Sequence, residues 1–143
     1  MRQLIIVLAA LLAAAAHAEL TPEEAPSGFV VGLRAYESAD YLRATQVLEA
    51  VTAVEPACAR CAHLLGKSYG RLAEQASGLT ALGLARKTRD ALERAVELDP
   101  EDPQALADLI RYYRAAPGFL GGSDEKARLL EERLERSASE HSS

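Results

Sequence analysis

Tryptophan is absent from the 143 residues, cysteine occurs twice and histidine three times. Each scarcity excludes a chemistry. Structural zinc takes about four thiolate or imidazole ligands, and two cysteines with His141 near the end of the chain do not supply them. A nucleophile needs a base beside it, and His63 is the one histidine inside a regularly patterned segment. The abundant carboxylates do not replace it. In "DEKARLLEERLER" they interleave with Lys and Arg at helical spacing, as on a solvated face laced with i,i+4 pairs. No enzymatic activity and no cofactor are therefore expected. β-Branched residues are few while Ala and Leu are many, which favours an all-α fold. With 16 Lys and Arg against 21 Asp and Glu, the net charge is -5. That excludes general nucleic-acid binding, which needs a basic surface.

What is present begins with "MRQLIIVLAALLAAAAHA". Arg2 gives a positive start, Leu4 to Ala16 form an apolar run, and Ala16 to Ala18 offer small residues before Glu19. This is the pattern of a cleaved secretory signal peptide over residues 1–18. The run falls short of the roughly 20 apolar residues a spanning helix needs, so no stable membrane insertion is expected after cleavage. No cysteine follows the cleavage point to carry a lipid anchor. The mature chain of about 125 residues is one domain by length, over residues 19–137. Export to an oxidising compartment is expected, and the compact Ala/Leu-rich leader suits a bacterial periplasm. The end, "ERSASEHSS", lacks an apolar period, and residues 138–143 are expected to be disordered.

Two segments finish alike. "DYLRATQVLEAVTAVEP" and "KTRDALERAVELDP" are amphipathic helices stopped by Pro56 and Pro100. With the prolines aligned, Leu48, Val51 and Val54 match Leu92, Ala95 and Leu98. Between them Leu65, Gly66 and Tyr69 read L-G-x-x-Y, and Leu106, Leu109 and Tyr113 recur downstream. This resembles the tetratricopeptide repeat, W-x-x-L-G-x-x-Y, A-x-x-x-F and P over 34 residues. Repeats begin near Ala25, Ala59 and Pro103, with Ala35 standing where the first aromatic belongs. The resemblance implies an all-α, tetratricopeptide-like solenoid of about three helical hairpins. Gly66 would let two helices approach closely, and Tyr69 with the small Ala44 and Ala95 would fill the space between them.

The second repeat runs about ten residues past the 34-residue pattern, and its apolar stripe continues through Leu79, Leu82 and Ala85. The second hairpin is thus elongated, with a tight turn at Ser77 and Gly78. The third repeat carries "APGFLGGS" at the matching place. Pro117 stops a helix, Gly118, Gly121 and Gly122 supply loop freedom, and Ser123 caps the next helix. Phe119 and Leu120 are expected to fold over the end of the second hairpin, near Leu79 and Leu82.

"PACARCAHLLG" holds both thiols, Cys58 and Cys61. Covalent haem needs the histidine directly after the second cysteine, and Ala62 stands there. A local disulfide that fixes the helix start is the expected state, since i and i+3 in a first turn come near bridging distance. Cys58 also falls at a helix start, where unpaired N–H groups lower a thiol pKa, with Arg60 nearby.

In the implied architecture the first helix of each repeat lines a concave surface. Arg60, His63, Lys67 and Arg71 share one face of the second repeat's first helix. Gln104, Arg111 and Arg114 take the matching places in the third, and Phe29, Leu33 and Tyr36 in the first. The expectation is a basic groove with an apolar end, holding an acidic or C-terminal segment of a partner protein. The alternatives are a periplasmic thiol-redox or haem-handling accessory using Cys58 and Cys61, and a structural subunit of an envelope assembly.

Overall fold

The computed structural model describes residues 25–140. The expected signal peptide lies outside the described residues. Those residues form six α-helices, one 3-10 turn and no strand: α1 Ala25–Glu37, α2 Tyr41–Val54, α3 Ala59–Gln75, α4 Gly78–Leu98, α5 Pro103–Ala115, the turn Gly118–Leu120, and α6 Asp124–Glu140. None of these helices is long and apolar enough to cross a membrane.

Local chemistry sets the boundaries. Asp40 caps α2 by accepting from the Arg43 N–H at 3.1 Å. Asp102 caps α5 by accepting from the Gln104 and Ala105 N–H groups at 2.9 and 3.3 Å, with Pro103 in the first helical turn. Each cap supplies a partner to donors that the helix itself leaves open. The Ser123 hydroxyl accepts from the Lys126 N–H at 3.2 Å, and Asp124 and Glu125 in the first turn suit the positive end of α6. That helix continues to Glu140, so residues 138–140, expected in a disordered tail, prolong it. There Ser139 donates to the Glu135 carbonyl at 2.9 Å.

Each helix packs against the next in the chain, and α1 also touches α3. Close approach depends on glycine at two matching places. A Cβ on Gly32 would sit 2.8 Å from Leu48 Cγ, and one on Gly66 would sit 2.8 Å from Leu92 Cδ2. Leu48 and Leu92 are buried, as are Ala44 and Ala95 beside them. Leu65 and Tyr69 pack with Leu48, while Leu106, Leu109, Ile110 and Tyr113 gather around Leu92.

A polar joint recurs between hairpins. The Tyr69 hydroxyl donates to Glu49 of α2, and the Lys87 ammonium lies 5.1 Å from the centre of the Tyr69 ring. The Tyr113 hydroxyl donates to Glu93 of α4 at 2.6 Å, and Lys126 lies 5.2 Å from the centre of that ring. Burial, then the carboxylate partner, raises the pKa of both phenols above the ordinary 10.0.

The turns fulfil the expectations unequally. Gly78 opens α4 at φ +57°, a conformation glycine adopts without steric cost. Leu120 is buried as expected, and its carbonyl accepts from Tyr112 Oη at 2.8 Å and Arg89 Nη1 at 3.3 Å. Phe119 and Leu79, however, are 69% and 86% exposed, so Phe119 does not fold over the hairpin end. The 3-10 turn sits against α4 at Arg89, short of the overhanging tip, and that leaves the Phe119 ring in solvent.

Candidate functional site

α1, α3 and α5 are not consecutive, yet all three contribute to one cleft of about 270 Å³. Tyr36 comes from α1, Lys67 and Arg71 from α3, and Asp108, Arg111 and Tyr112 from α5, over Thr88 and Leu92 of α4. The long α3–α4 hairpin supplies the wall and floor, and Gly66 and Gly70 keep that wall low.

The basic side chains of α3 lie against the aromatic rings of the first hairpin. The Arg60 guanidinium is 4.5 Å from the centre of the Phe29 ring, Lys67 is 5.2 Å from that of Tyr36, and Arg71 is 5.4 Å from that of Tyr41. Such contacts are worth about 0.5–1 kcal/mol at exposed sites. Arg71 also donates to the Tyr41 hydroxyl at 3.3 Å and pairs with Glu74 at 2.7 Å. Tyr36 and Tyr41 meet edge to face at 5.4 Å. Phe29, Leu33 and Tyr36 are half-buried, packed on Leu48, Leu64, Leu65 and Tyr69, and of the three only Tyr36 lines the cleft.

His63 is buried rather than displayed, with Nε2 2.7 Å from Asp108 Oδ2. This contact ties α3 to α5. Arg111, itself 78% exposed, approaches the other oxygen of Asp108 at 3.3 Å. The hydrogen bond to His63 holds the Asp108 carboxyl below its ordinary range against the opposing effect of burial, with help from Arg111 and Lys67. Sequence reasoning missed Asp108, because a lone aspartate on a helix carries no sign of which neighbour it meets.

Of the expected groove residues, Tyr36, Lys67, Arg71 and Arg111 line the cleft, whereas Arg60, stacked on Phe29, and the buried His63 lie outside its lining, as do Gln104 and Arg114. Arg114 turns to α6, where it binds Glu131 at 2.7 Å and approaches Asp124 at 3.6 Å. A bidentate carboxylate on the adjoining helix outweighs the open cleft for a planar guanidinium. Gln104 sits exposed in the first turn of α5, away from the lining. The cleft thus carries Lys67, Arg71 and Arg111 against Glu74 and Asp108. Its positive surplus is smaller than the sequence register implies.

The His63–Asp108 pair has the form of half a nucleophile-activating arrangement. The hydroxyls of Ser68 and Thr88 are directed elsewhere, donating to the carbonyls of Leu64 and Leu84 at 2.7 and 2.9 Å. The cleft presents aromatic surface at Tyr36 and Tyr112, the cations Lys67, Arg71 and Arg111, and an apolar floor at Leu92.

At the start of α3, Cys58 and Cys61 form a disulfide. Cys58 is the N-cap, and its Sγ accepts from the Cys61 N–H at 3.2 Å. Glu55 and the two sulfurs lie within 4.8 Å of one another. A closed disulfide holds both thiols out of metal ligation, because the thiolate is the ligand. No family model matches the chain, and no curated protein matches it.

Proposed function

We propose that the protein is an exported tetratricopeptide-like adaptor that holds an acidic or C-terminal segment of another protein in the α1–α3–α5 cleft. The observation that carries this reading is the convergence of Tyr36, Lys67, Arg71 and Arg111 from three helices on one surface. The repeat reading is supported by the two matching glycine–leucine approaches and the two matching tyrosine–glutamate joints. Export to an oxidising compartment accords with the closed Cys58–Cys61 bond. The activity proposed is binding, with no cofactor and no catalysis.

The mechanism is electrostatic capture followed by apolar seating. A carboxylate segment is drawn to Lys67 and Arg111 and displaces the weak solvent-exposed end of the Arg111–Asp108 pair. Its apolar side chains then cover Tyr36 and the floor at Leu92. The test uses the partner captured from envelope extracts on the full chain, then purified and titrated. Lys67→Glu with Arg111→Glu is expected to weaken binding at least about tenfold while changing folding stability by no more than about 0.5 kcal/mol. Affinity is also expected to fall with salt, because exposed charges are screened over about 8 Å at physiological ionic strength. A partner indifferent to both would overturn the groove reading and move attention to the apolar edge at Phe29 and Leu33.

A further inference from the structure

We propose that the Cys58–Cys61 pair is a thiol–disulfide exchange site that takes electrons from a dithiol of another protein. This proposal does not rest on the groove. Its first support is that the bond adds little as a staple. It closes a loop of sequence separation three, and loop-closure stabilisation shrinks with loop length. The start of α3 is already held by backbone bonds, Ala62 N–H to the Cys58 carbonyl at 3.1 Å and Cys58 N–H to the Glu55 carbonyl at 3.2 Å.

The second support is asymmetry. Cys58 is part-exposed at the helix start, whereas Cys61 is 1% exposed and packed with Val51. A partner thiolate therefore reaches one sulfur and not the other. The third support is a built stabiliser for the sulfur that leaves last. Cys58 Sγ faces the Cys61 N–H at the positive end of a 17-residue helix, an environment that favours thiolate over thiol. Stabilising the reduced form makes the pair an acceptor of electrons.

The step balances as follows in atoms and electrons. A partner thiolate attacks Cys58 Sγ, the Cys58–Cys61 bond breaks, and its electron pair leaves on the Cys61 sulfur. Glu55, exposed and within 4.8 Å of both sulfurs, relays the proton of the partner's second thiol to that thiolate. The partner's second thiolate then attacks its own sulfur in the mixed disulfide and releases Cys58 as thiolate. The partner dithiol loses two electrons and both its protons to become a disulfide, and Cys58 and Cys61 gain the two electrons.

The experiment uses the oxidised full chain and a reduced synthetic peptide bearing two cysteines, with the products resolved by mass spectrometry. Disulfide transfer to the peptide is expected to run at least about tenfold faster than from glutathione disulfide at equal concentration. The Cys61→Ser protein is expected to form a mixed disulfide with glutathione at Cys58, at least about tenfold faster than the Cys58→Ser protein does at Cys61. Equal rates in the two variants, or transfer no faster than from glutathione disulfide, would overturn the proposal. If either variant loses its helical circular dichroism, limiting alkylation of the briefly reduced wild type decides instead. Modification of Cys58 first is expected, and equal or reversed order overturns the proposal. Lys67→Glu with Arg111→Glu is expected to leave the transfer rate unchanged, so failure here and failure of the groove are separate results.

Discussion

The α3–α4 and α5–α6 hairpins are joined to their predecessors in the same way and then diverge. In each, a tyrosine of the first helix donates to a glutamate of the helix before it and lies under a lysine of the helix after it. Inside the hairpins the likeness stops. Gly66 brings α3 within van der Waals contact of Leu92, whereas the equivalent place in α5 holds Ile110, itself buried. The far ends differ more. α3 and α4 run on to a turn at Gly78, while α5 stops before Pro117 and its chain is fastened sideways to Arg89 through the Leu120 carbonyl. The difference teaches that the joints between hairpins repeat, while the spacing and reach of each hairpin are set by single residues.

The comparison breaks most visibly at Gly66. Gly66→Ile, which gives α3 the residue α5 carries, is expected to cost about 3 kcal/mol, the upper range for overpacking. A Cβ there meets the Leu92 side chain at 2.8 Å and the Leu92 backbone nitrogen at 3.2 Å, so side-chain repacking alone does not admit it. Urea denaturation monitored by circular dichroism measures the loss. A stability unchanged within error would mean the two hairpins are spaced alike.

The joints are sharpened by removing one hydroxyl from each. Tyr69→Phe and Tyr113→Phe are each expected to cost about 1 kcal/mol, the usual net value of a hydrogen bond. Equal costs would support equivalence of the joints, and a difference above about 1 kcal/mol would refute it. Their pH dependence is a further handle. Folding raises both phenol pKa values, through burial first and the carboxylate second. The neutral phenol is therefore preferred in the folded state. That stability is fully present below pH 10 and is lost as pH climbs through the raised values. The melting temperature is expected to drop above about pH 10 in the wild type and to drop less in the double Phe variant.

The smallest effect concerns the turns. Positive φ falls on Gly78 and Gly121 in the later hairpins but on Ala39, φ +61°, between α1 and α2. Ala39→Gly relieves a conformation that costs a side-chain-bearing residue about 1–2 kcal/mol. Glycine's greater freedom when unfolded returns part of that, so a gain of about 0.5 kcal/mol is expected in the same denaturation assay. A loss instead would show that the Ala39 methyl contributes more than its strain.

Helices, their proline stops and the close helix approach at Gly66 were legible in the sequence because periodicity and backbone chemistry encode burial directly, whereas the leucine that Gly66 admits was not. The charged contacts were not. Glu49 and Glu93 look like solvated helix positions, and only the stacking of hairpins brings them to tyrosines twenty residues away. His63 was expected on the groove face, and the same face does point toward α5, but Asp108 draws it under the surface. Arg114 was placed in the groove by its repeat register, and that register does not reveal Glu131 on α6, to which the side chain turns. For the same reason Phe119 was placed by its hydrophobicity, whereas the neighbouring Leu120 carbonyl decides where the turn is anchored.

The overhang of the α3–α4 hairpin has a dynamic consequence. α4 spans 21 residues against 14 in α2 and 13 in α5, so its first turns project beyond the helices on either side. Leu79, Thr80 and Gly83 there are exposed. The Leu79 and Thr80 amides precede the first bond of α4, from the Ala81 N–H to the Ser77 carbonyl, and exchange without any opening, that of Gly83 is released by fraying of the tip, and those near Leu92 need the stack to open. In deuterated water the single helix α4 is a graded clock, its amides exchanging fastest at Gly78 and slowest where Gly66 lets it press against α3.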